Sequence, residues 1–397
     1  MSTDTIDTVG RTAGEGGKDH ESAATVLDAV RAMIPAIAGR GDEIEAARRV
    51  PPDLVSGLTS AGCFRLAVPA RYGGVEADLA ASRELTHLLA RADGSVAWTT
   101  MIGSVAPLVL GLLPIETIDE IYGGGPDVIV AGAFNPTGVA TPVDGGYRAN
   151  GRWSFASGCQ HADWFIAHCF VDDGRMPPIR MMVLSPSDVE VIDTWRTAGL
   201  CGTGSHDFVI DDVFVPEAWS FAVWDESKFD APQFRIPELS LSSMMLATVA
   251  VGIAEGALDE VTTLATGKVP AFAESTLATN PLFQYQLGET VARLAAAKAL
   301  LDAETAAAWS QAVEGAEFTP EQRARIRAAA TWSTRTAAEV VDAAYTAGGG
   351  TAMYSNSPLQ RRLRDVHAVT QHFAVKADTY TKVGAVLTGQ EVDLTFL

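Results

Sequence analysis

The chain changes hydrophobic period twice. From Ala23 to about Leu113 apolar residues recur every three or four positions, as in AATVLDAVRAMIPAIAGRGDEIEAARRV and ASRELTHLLARADGSVAWTTMIGSVAPLVLGLLP. That spacing predicts helices. Pro35 interrupts the first run, and PPDLVSGLTSAG restarts as a short helix closing at Gly62. Between Gly124 and Val223 the period drops to two. VIVAGAF, GYRANGRWSF, WFIAHCFV, IRMMVLS, VEVIDTW and HDFVIDDVFVP read as short strands separated by Gly, Pro and Asp. After Pro237 helical spacing returns in four long alanine-rich segments, the pattern of a four-helix bundle. Gly348-Gly349-Gly350 ends the third of them.

The expected class is α+β, mostly α. A disordered tail is expected over 1–22, a helical domain over 23–123, a central β domain over 124–236 and a helix bundle over 237–397. The stretch GGYRANGRWSFASGCQHADW reads as a hairpin turning at Asn150-Gly151. It runs into Ser157-Gly158, where a flat ring can lie against a backbone with no side chain.

Composition narrows the function. At 397 residues the chain exceeds one small core, and 47% hydrophobic with 20% charged residues is the balance of a folded soluble protein. A net charge of −20 repels phosphate backbones, so no nucleic-acid partner is expected. Cys63, Cys159, Cys169 and Cys201 are scattered without a CxxC pair, which points to reduced thiols in the cytoplasm. The histidines show no metal-ligand spacing, so no metal is expected. The N-terminus lacks a basic start followed by an apolar run, and no run reads as long enough to cross a membrane.

Four stretches carry a family likeness: ADGSVAW (Ala92–Trp98), GGYRANGRWSFASGCQHADW, GTGSHDFVIDDVFVP (Gly202–Pro216) and SPLQRRLRDVHAVTQH (Ser357–His372). In this order and spacing the chain resembles the acyl-CoA dehydrogenase fold from about residue 25 onward. The likeness is strongest to its oxygenase branch, flavin-dependent monooxygenases fed by a separate reductase, such as the p-hydroxyphenylacetate, secosteroid-phenol and dibenzothiophene monooxygenases. The resemblance implies an N-terminal helical domain, a central β-barrel domain, a C-terminal four-helix bundle and a homotetramer. Flavin is then expected between the β domain and the bundle, against Ala133, Phe134, Phe155 and Ser157, with the Ser157 hydroxyl at the N5–O4 edge. Gly349 and Gly350 are expected to approach a flavin held by a neighbouring subunit, besides ending their helix. Trp98, Ser104 and Phe373 are expected to line the substrate pocket, though plain core packing accounts for Trp98 nearly as well.

The same likeness separates two chemistries. The dehydrogenases need a carboxylate base, and its two family positions fall here on Phe373 and near Ser242, neither acidic. His372 stands beside the first. In the oxygenase branch a histidine here reaches the pocket, and an imidazole of near-neutral pKa can move a proton. His367 lies five residues earlier, roughly 140° away on a helix, so only one of the two can face a small pocket. His372 is preferred. The places of the arginine and phenylalanine that clasp FAD pyrophosphate in the dehydrogenases fall near Ser275 and Ala278, which leaves FMN versus FAD open. With no GxGxxG after a strand, NAD(P)H is expected to act on a separate flavin reductase. The implied reaction uses reduced flavin and O2, through a C4a-hydroperoxide, to hydroxylate an aromatic or heteroaromatic small molecule. Alternatives are N- or S-oxygenation on the same scaffold, an acyl-CoA dehydrogenase, and a non-catalytic relative.

Overall fold

The computed structural model describes residues 22–172, 174, 178–222, 224–393 and 397. The expected tail lies outside them except for Ser22, whose hydroxyl caps the first helix by accepting from Thr25 N at 3.2 Å. Six helices come first: α1 (Ala23–Ala38), α2 (Gly41–Ala47), α3 (Pro52–Ser60), α4 (Leu79–Ala92), α5 (Gly94–Leu110) and α6 (Ile115–Ile121). α1 runs through Pro35, which sits in its last turn where only one ladder bond is lost. The apolar run expected as one long helix is cut at Asp93, whose carboxylate accepts from Ser95 N and Val96 N at 2.9 and 3.0 Å and starts α5.

Seven strands follow: β1 (Val130–Val143), β2 (Gly146–Ala156), β3 (Trp164–Val171), β4 (Ile179–Leu184), β5 (Glu190–Ile192), β6 (His206–Pro216) and β7 (Ser220–Phe221). They form one sheet in the order β5-β6-β2-β1-β3-β4-β7, with β1 and β3 parallel and the other pairs antiparallel. In a flat sheet β6 and β3 would stand three strand spacings apart, about 14 Å. Yet the Phe165 and Phe208 rings are 5.4 Å apart, with Trp153 stacked on Phe208 at 5.0 Å. The sheet therefore curls around its own core.

The hairpin turn is not at Asn150-Gly151. β1 and β2 turn at Asp144-Gly145, where Gly145 has φ +76°, and Gly146–Ala156 is one continuous strand. Asn150 sits in a bulge against β6, where its Oδ1 accepts from Asp212 N at 2.6 Å. A side chain at Gly151 would come within 2.6 Å of Gly138 Cα, so the glycine serves close approach of strands.

Helices return as α7 (Glu238–Gly267), α8 (Pro281–Glu314), α9 (Pro320–Gly348), α10 (Pro358–Val369) and α11 (Thr379–Leu387). The fourth bundle segment is thus broken. Thr370 Oγ1 turns back to His367 O at 2.7 Å, and the chain makes tight turns before α11 starts. His372 lies in that break, off the helix on which it was expected.

α7 is the centre of the molecule. Its Met244, Met245, Val249 and Ile253 pack with Leu85 and Leu89 of α4, Val96 of α5 and Val340 and Val341 of α9 in one shared core. Contrary to expectation, this 30-residue helix, with hydropathy 1.6 in its most apolar window, is long and apolar enough to cross a membrane. However, 83% of that window is buried inside the protein, so packing already covers its apolar surface.

Candidate active site

The N-terminus of α5 meets the end of β2. Asp93 fixes the first turn of α5, and one turn on Trp98 Nε1 donates to Ser157 Oγ at 3.0 Å. β2 ends in a sharp bend. Phe155 takes φ +72° with its side chain 66% exposed, and Ser157 N returns to Phe155 O at 2.9 Å. A bulky residue in that conformation is strained, and such strain is concentrated at functional sites. Gly158, at φ +75°, donates to Thr203 O, and a Cβ there would press to 3.1 Å from Thr99 Cγ2. The third wall comes from the loop before β6. Ser205 Oγ is 2.7 Å from Ser157 Oγ, and Thr203 Oγ1 is 2.7 Å from Ser205 Oγ. Trp195, held by Thr194 N and its own N donating to His206 Nδ1, stands edge-on to Phe155 at 6.1 Å.

The α10–α11 break brings His372 to the same place. Its ring is 5.7 Å from Trp98 and 4.7 Å from Phe373, which is 48% exposed. His372 Nδ1 accepts from Ala374 N at 3.2 Å, so in the neutral ring the proton is on Nε2. Burial first, and the nearby Arg327 guanidinium second, push its pKa down to about 4. The expected near-neutral imidazole is corrected accordingly: His372 is a neutral Nε2–H donor. His367 faces elsewhere and pairs with Asp342 Oδ1 at 2.9 Å.

The remaining expected residues divide. Ala133 is buried in β1 where its register with β3 shifts. Phe134 follows, with its side chain 41% exposed and its carbonyl accepting from His168 Nδ1 at 2.6 Å. Ser104 is buried, and its hydroxyl donates within α5 to Met101 O at 3.0 Å, so it offers the pocket no free proton. Gly349, at φ +54°, and Gly350 follow α9, where Lys268 Nζ donates to Gly348 O, and among the described residues no hydrogen bond joins them to the Trp98–Ser157 group. Two clefts of about 820 and 670 Å³ lie elsewhere, the first lined by Trp332, Arg335 and Tyr380, the second by Arg83, His87 and Lys298. Neither includes an expected site residue.

Would a flavin ring fit? The exposed Phe134 and Phe155 present flat apolar faces. Ser157 Oγ accepts from Trp98 Nε1, and Thr99 Oγ1 is buried next to Gly158 without a partner among the described residues. That is a frame for a flat group with a polar edge, and the residues present fit it.

Models of the acyl-CoA dehydrogenase N-terminal and C-terminal domains match residues 20–113 and 244–377. Indole-3-acetate monooxygenase of Pseudomonas putida is 35% identical over 92% of this chain and 93% of its own length. The flavin-dependent monooxygenase oxygenase subunit HsaA of Rhodococcus jostii is 31% identical, covering 86% of this chain and 92% of its own. The chain belongs to the flavin-dependent monooxygenases of the acyl-CoA dehydrogenase family. Among solved relatives, XiaF from Streptomyces in complex with FADH2 superposes with TM-score 0.87 at 26% identity, over 93% of this chain and 96% of that one.

Within this monooxygenase fold, sequence reasoning missed four residues at the site. Thr203 and Ser205 lie in the GTGSH motif, whose hydroxyls gave the signal, but their link to Ser157 depends on the fold. Glu238 and Arg327 are the others. The α7 surface near Ser242 reads as lacking an acid, yet Ser242 Oγ donates to Glu238 Oε1 at 2.7 Å, one helical turn earlier. Glu238 is exposed by area, yet desolvation by the neighbouring protein raises its pKa, with the Ser242 hydrogen bond and the Arg327 charge opposing that rise. Arg327 is 2% exposed and donates only to Thr379 Oγ1, at 3.3 Å; its Nε and Nη1 have no partner among the described residues. Its charge acts on both Glu238 and His372. A carboxylate is therefore present near the second family position after all.

Proposed function

We propose that this chain is the oxygenase component of a two-component system. It takes reduced FMN or FAD from a separate NAD(P)H-flavin reductase and uses O2 to hydroxylate an aromatic or heteroaromatic small molecule. The observation that carries the proposal is the meeting of Trp98, Ser157 and a neutral His372 at one point, although they come from α5, the end of β2 and the α10–α11 break. When bound, reduced flavin supplies the electrons that activate O2. Ser157 holds the edge of the ring, and Ala133, Phe134 and Phe155 cover its face and keep water out. His372 presents its Nε2–H to the reacting oxygen or to the substrate hydroxyl, while Trp98 and Phe373 wall the cavity beside it.

Relatives named for indole-3-acetate and resorcinol support an electron-rich ring as substrate. A relative described as an oxygenase subunit supports the separate reductase. The exposed side of α8 that carries Leu282, Tyr285 and Leu300 supports assembly into a homotetramer in which Gly349 and Gly350 reach a neighbour's flavin. No disulfide joins the four cysteines, which supports a cytoplasmic location.

The test couples the protein to an NAD(P)H-flavin reductase under labelled O2, with indole-3-acetate, resorcinol and simple phenols as substrates. Incorporation of one labelled oxygen into a ring product is expected. Complete conversion of O2 to peroxide with every ring, together with reduction of bound oxidised flavin by an acyl-CoA thioester, would return the protein to dehydrogenase chemistry.

A further inference from the structure

The hydroxyl groups behind Ser157 form a chain with a direction. Leu200 O lies 2.8 Å from Thr203 Oγ1, and because a carbonyl oxygen only accepts, Thr203 commits its single proton there. The proton in the 2.7 Å contact between Thr203 Oγ1 and Ser205 Oγ therefore belongs to Ser205. The proton in the 2.7 Å contact between Ser205 Oγ and Ser157 Oγ then belongs to Ser157. From the other side Trp98 Nε1, a donor only, fills one lone pair of Ser157. This arrangement satisfies every contact. Reversing it leaves Thr203 Oγ1 and Leu200 O, 2.8 Å apart in a buried site, with no proton between them.

The loop that sets this direction is fixed at several points. Leu200 N donates to the buried Asp365 Oδ1 at 2.6 Å, and Gly202 N donates to Ser95 Oγ at 3.1 Å. A side chain at Gly199 would come within 2.0 Å of Arg364 O, so the loop sits directly on α10. Ser157, Thr203 and Ser205 are all buried, so bulk water does not compete for their protons.

We propose that Thr203 and Ser205 hold Ser157 as an acceptor-only hydroxyl, and that this selects the redox state of the flavin the chain retains. Reduced flavin carries a hydrogen on N5, which Ser157 can accept on its free lone pair. Oxidised flavin has a bare N5 that needs a donor, and the proton of Ser157 is already committed to Ser205. Thr203 and Ser205 are positioning residues that act through Ser157. The inference rests on the proposed placement of the flavin N5–O4 edge at Ser157.

The test measures two affinities for each protein, by anaerobic titration with photoreduced FMN and FAD and by fluorescence titration with the oxidised forms. Ser205→Ala removes the acceptor of the Ser157 proton. Thr203→Val lets Ser205 turn its own proton toward Ser157. Both should tighten oxidised flavin by about tenfold, one hydrogen bond's worth, while reduced flavin stays within about twofold. Thr203→Ser keeps the proton on Leu200 O and should keep the wild-type ratio. If Ser205→Ala and Thr203→Val weaken both forms together, or leave the ratio unchanged, the directional chain is refuted. If Ser157→Ala binds reduced flavin as well as wild type, the placement at Ser157 fails and the inference falls with it.

Discussion

His372 should make the protein sensitive to acid in a way that can be isolated. Its pKa falls from 6.5 to about 4, roughly 2.5 units or ~3 kcal/mol at 1.36 kcal/mol per unit. The unfolded chain takes up a proton at His372 below pH 6.5, whereas the folded chain does so only near pH 4. Stability from this group is therefore full above pH 6.5, falls as the pH drops from 6.5 toward 4, and levels below that. His372→Asn removes the titration and keeps a hydrogen-bonding side chain of smaller size. His161, His168 and His206 are also held below the usual histidine range by burial, so wild type alone cannot isolate the effect. The difference between the two proteins can. Urea unfolding of both from neutral pH down to pH 4 should show the wild-type advantage shrinking by about 3 kcal/mol. An NMR titration of the imidazole should show no inflection near 6.5. A wild-type-minus-variant difference that stays constant with pH, or an ordinary histidine titration, would refute the claim that His372 enters the reaction as a neutral donor.

The order of helices, strands and helices was legible because period depends on which face is buried, and burial repeats along an element. Events of a single residue were less legible. Asn150-Gly151 signals any place where backbone needs a glycine, and a strand bulge needs one as much as a hairpin turn does, so the signal was real and its meaning ambiguous. The break after Val369 carries no Gly or Pro, and helical spacing continues through it, which is why His372 looked like a helix residue. Ser157, Trp98 and His372 were legible through family likeness. Their contact was not, since it joins positions 59 residues apart and farther. Glu238 was not legible from the position of Ser242, because a helix offers the same side to a residue one turn away. The pKa of His372 depends on burial and then on Arg327, far earlier in sequence, and only the folded chain supplies either.

Three further outcomes follow from buried charges. Burial, then the neighbouring Asp93, raises Asp365 to about 7, so the stability it contributes is full below pH 3.8 and is lost as the pH rises through about 7. Asp365→Asn, which keeps an acceptor for Leu200 N, should gain on wild type by on the order of 4 kcal/mol across that rise, and calorimetry at both ends of the range checks it. Glu255 is lowered to about 2, first by its hydrogen bond with His87 and further by Lys298, so its stability is present above pH 4.5 and lost as the pH falls through about 2. Glu255→Gln should cost about 1–2 kcal/mol at neutral pH after allowance for solvent screening, and little once the acid is protonated. Glu238→Gln removes the carboxylate whose field favours the buried Arg327 charge. If Glu238 is an electrostatic partner of the His372 site, the variant should be no less stable than wild type at neutral pH, because desolvation raises the Glu238 pKa and disfavours its ionised form in the folded chain, and it should show an Arg327 pKa below the wild-type value of about 10, with hydroxylation retained in part. If Glu238 is instead the base of a dehydrogenase, wild type should reduce its flavin with an acyl-CoA thioester and the variant should not, while Arg327 stays where it was. Guanidinium NMR and flavin bleaching report on different atoms, so the two readings cannot both pass.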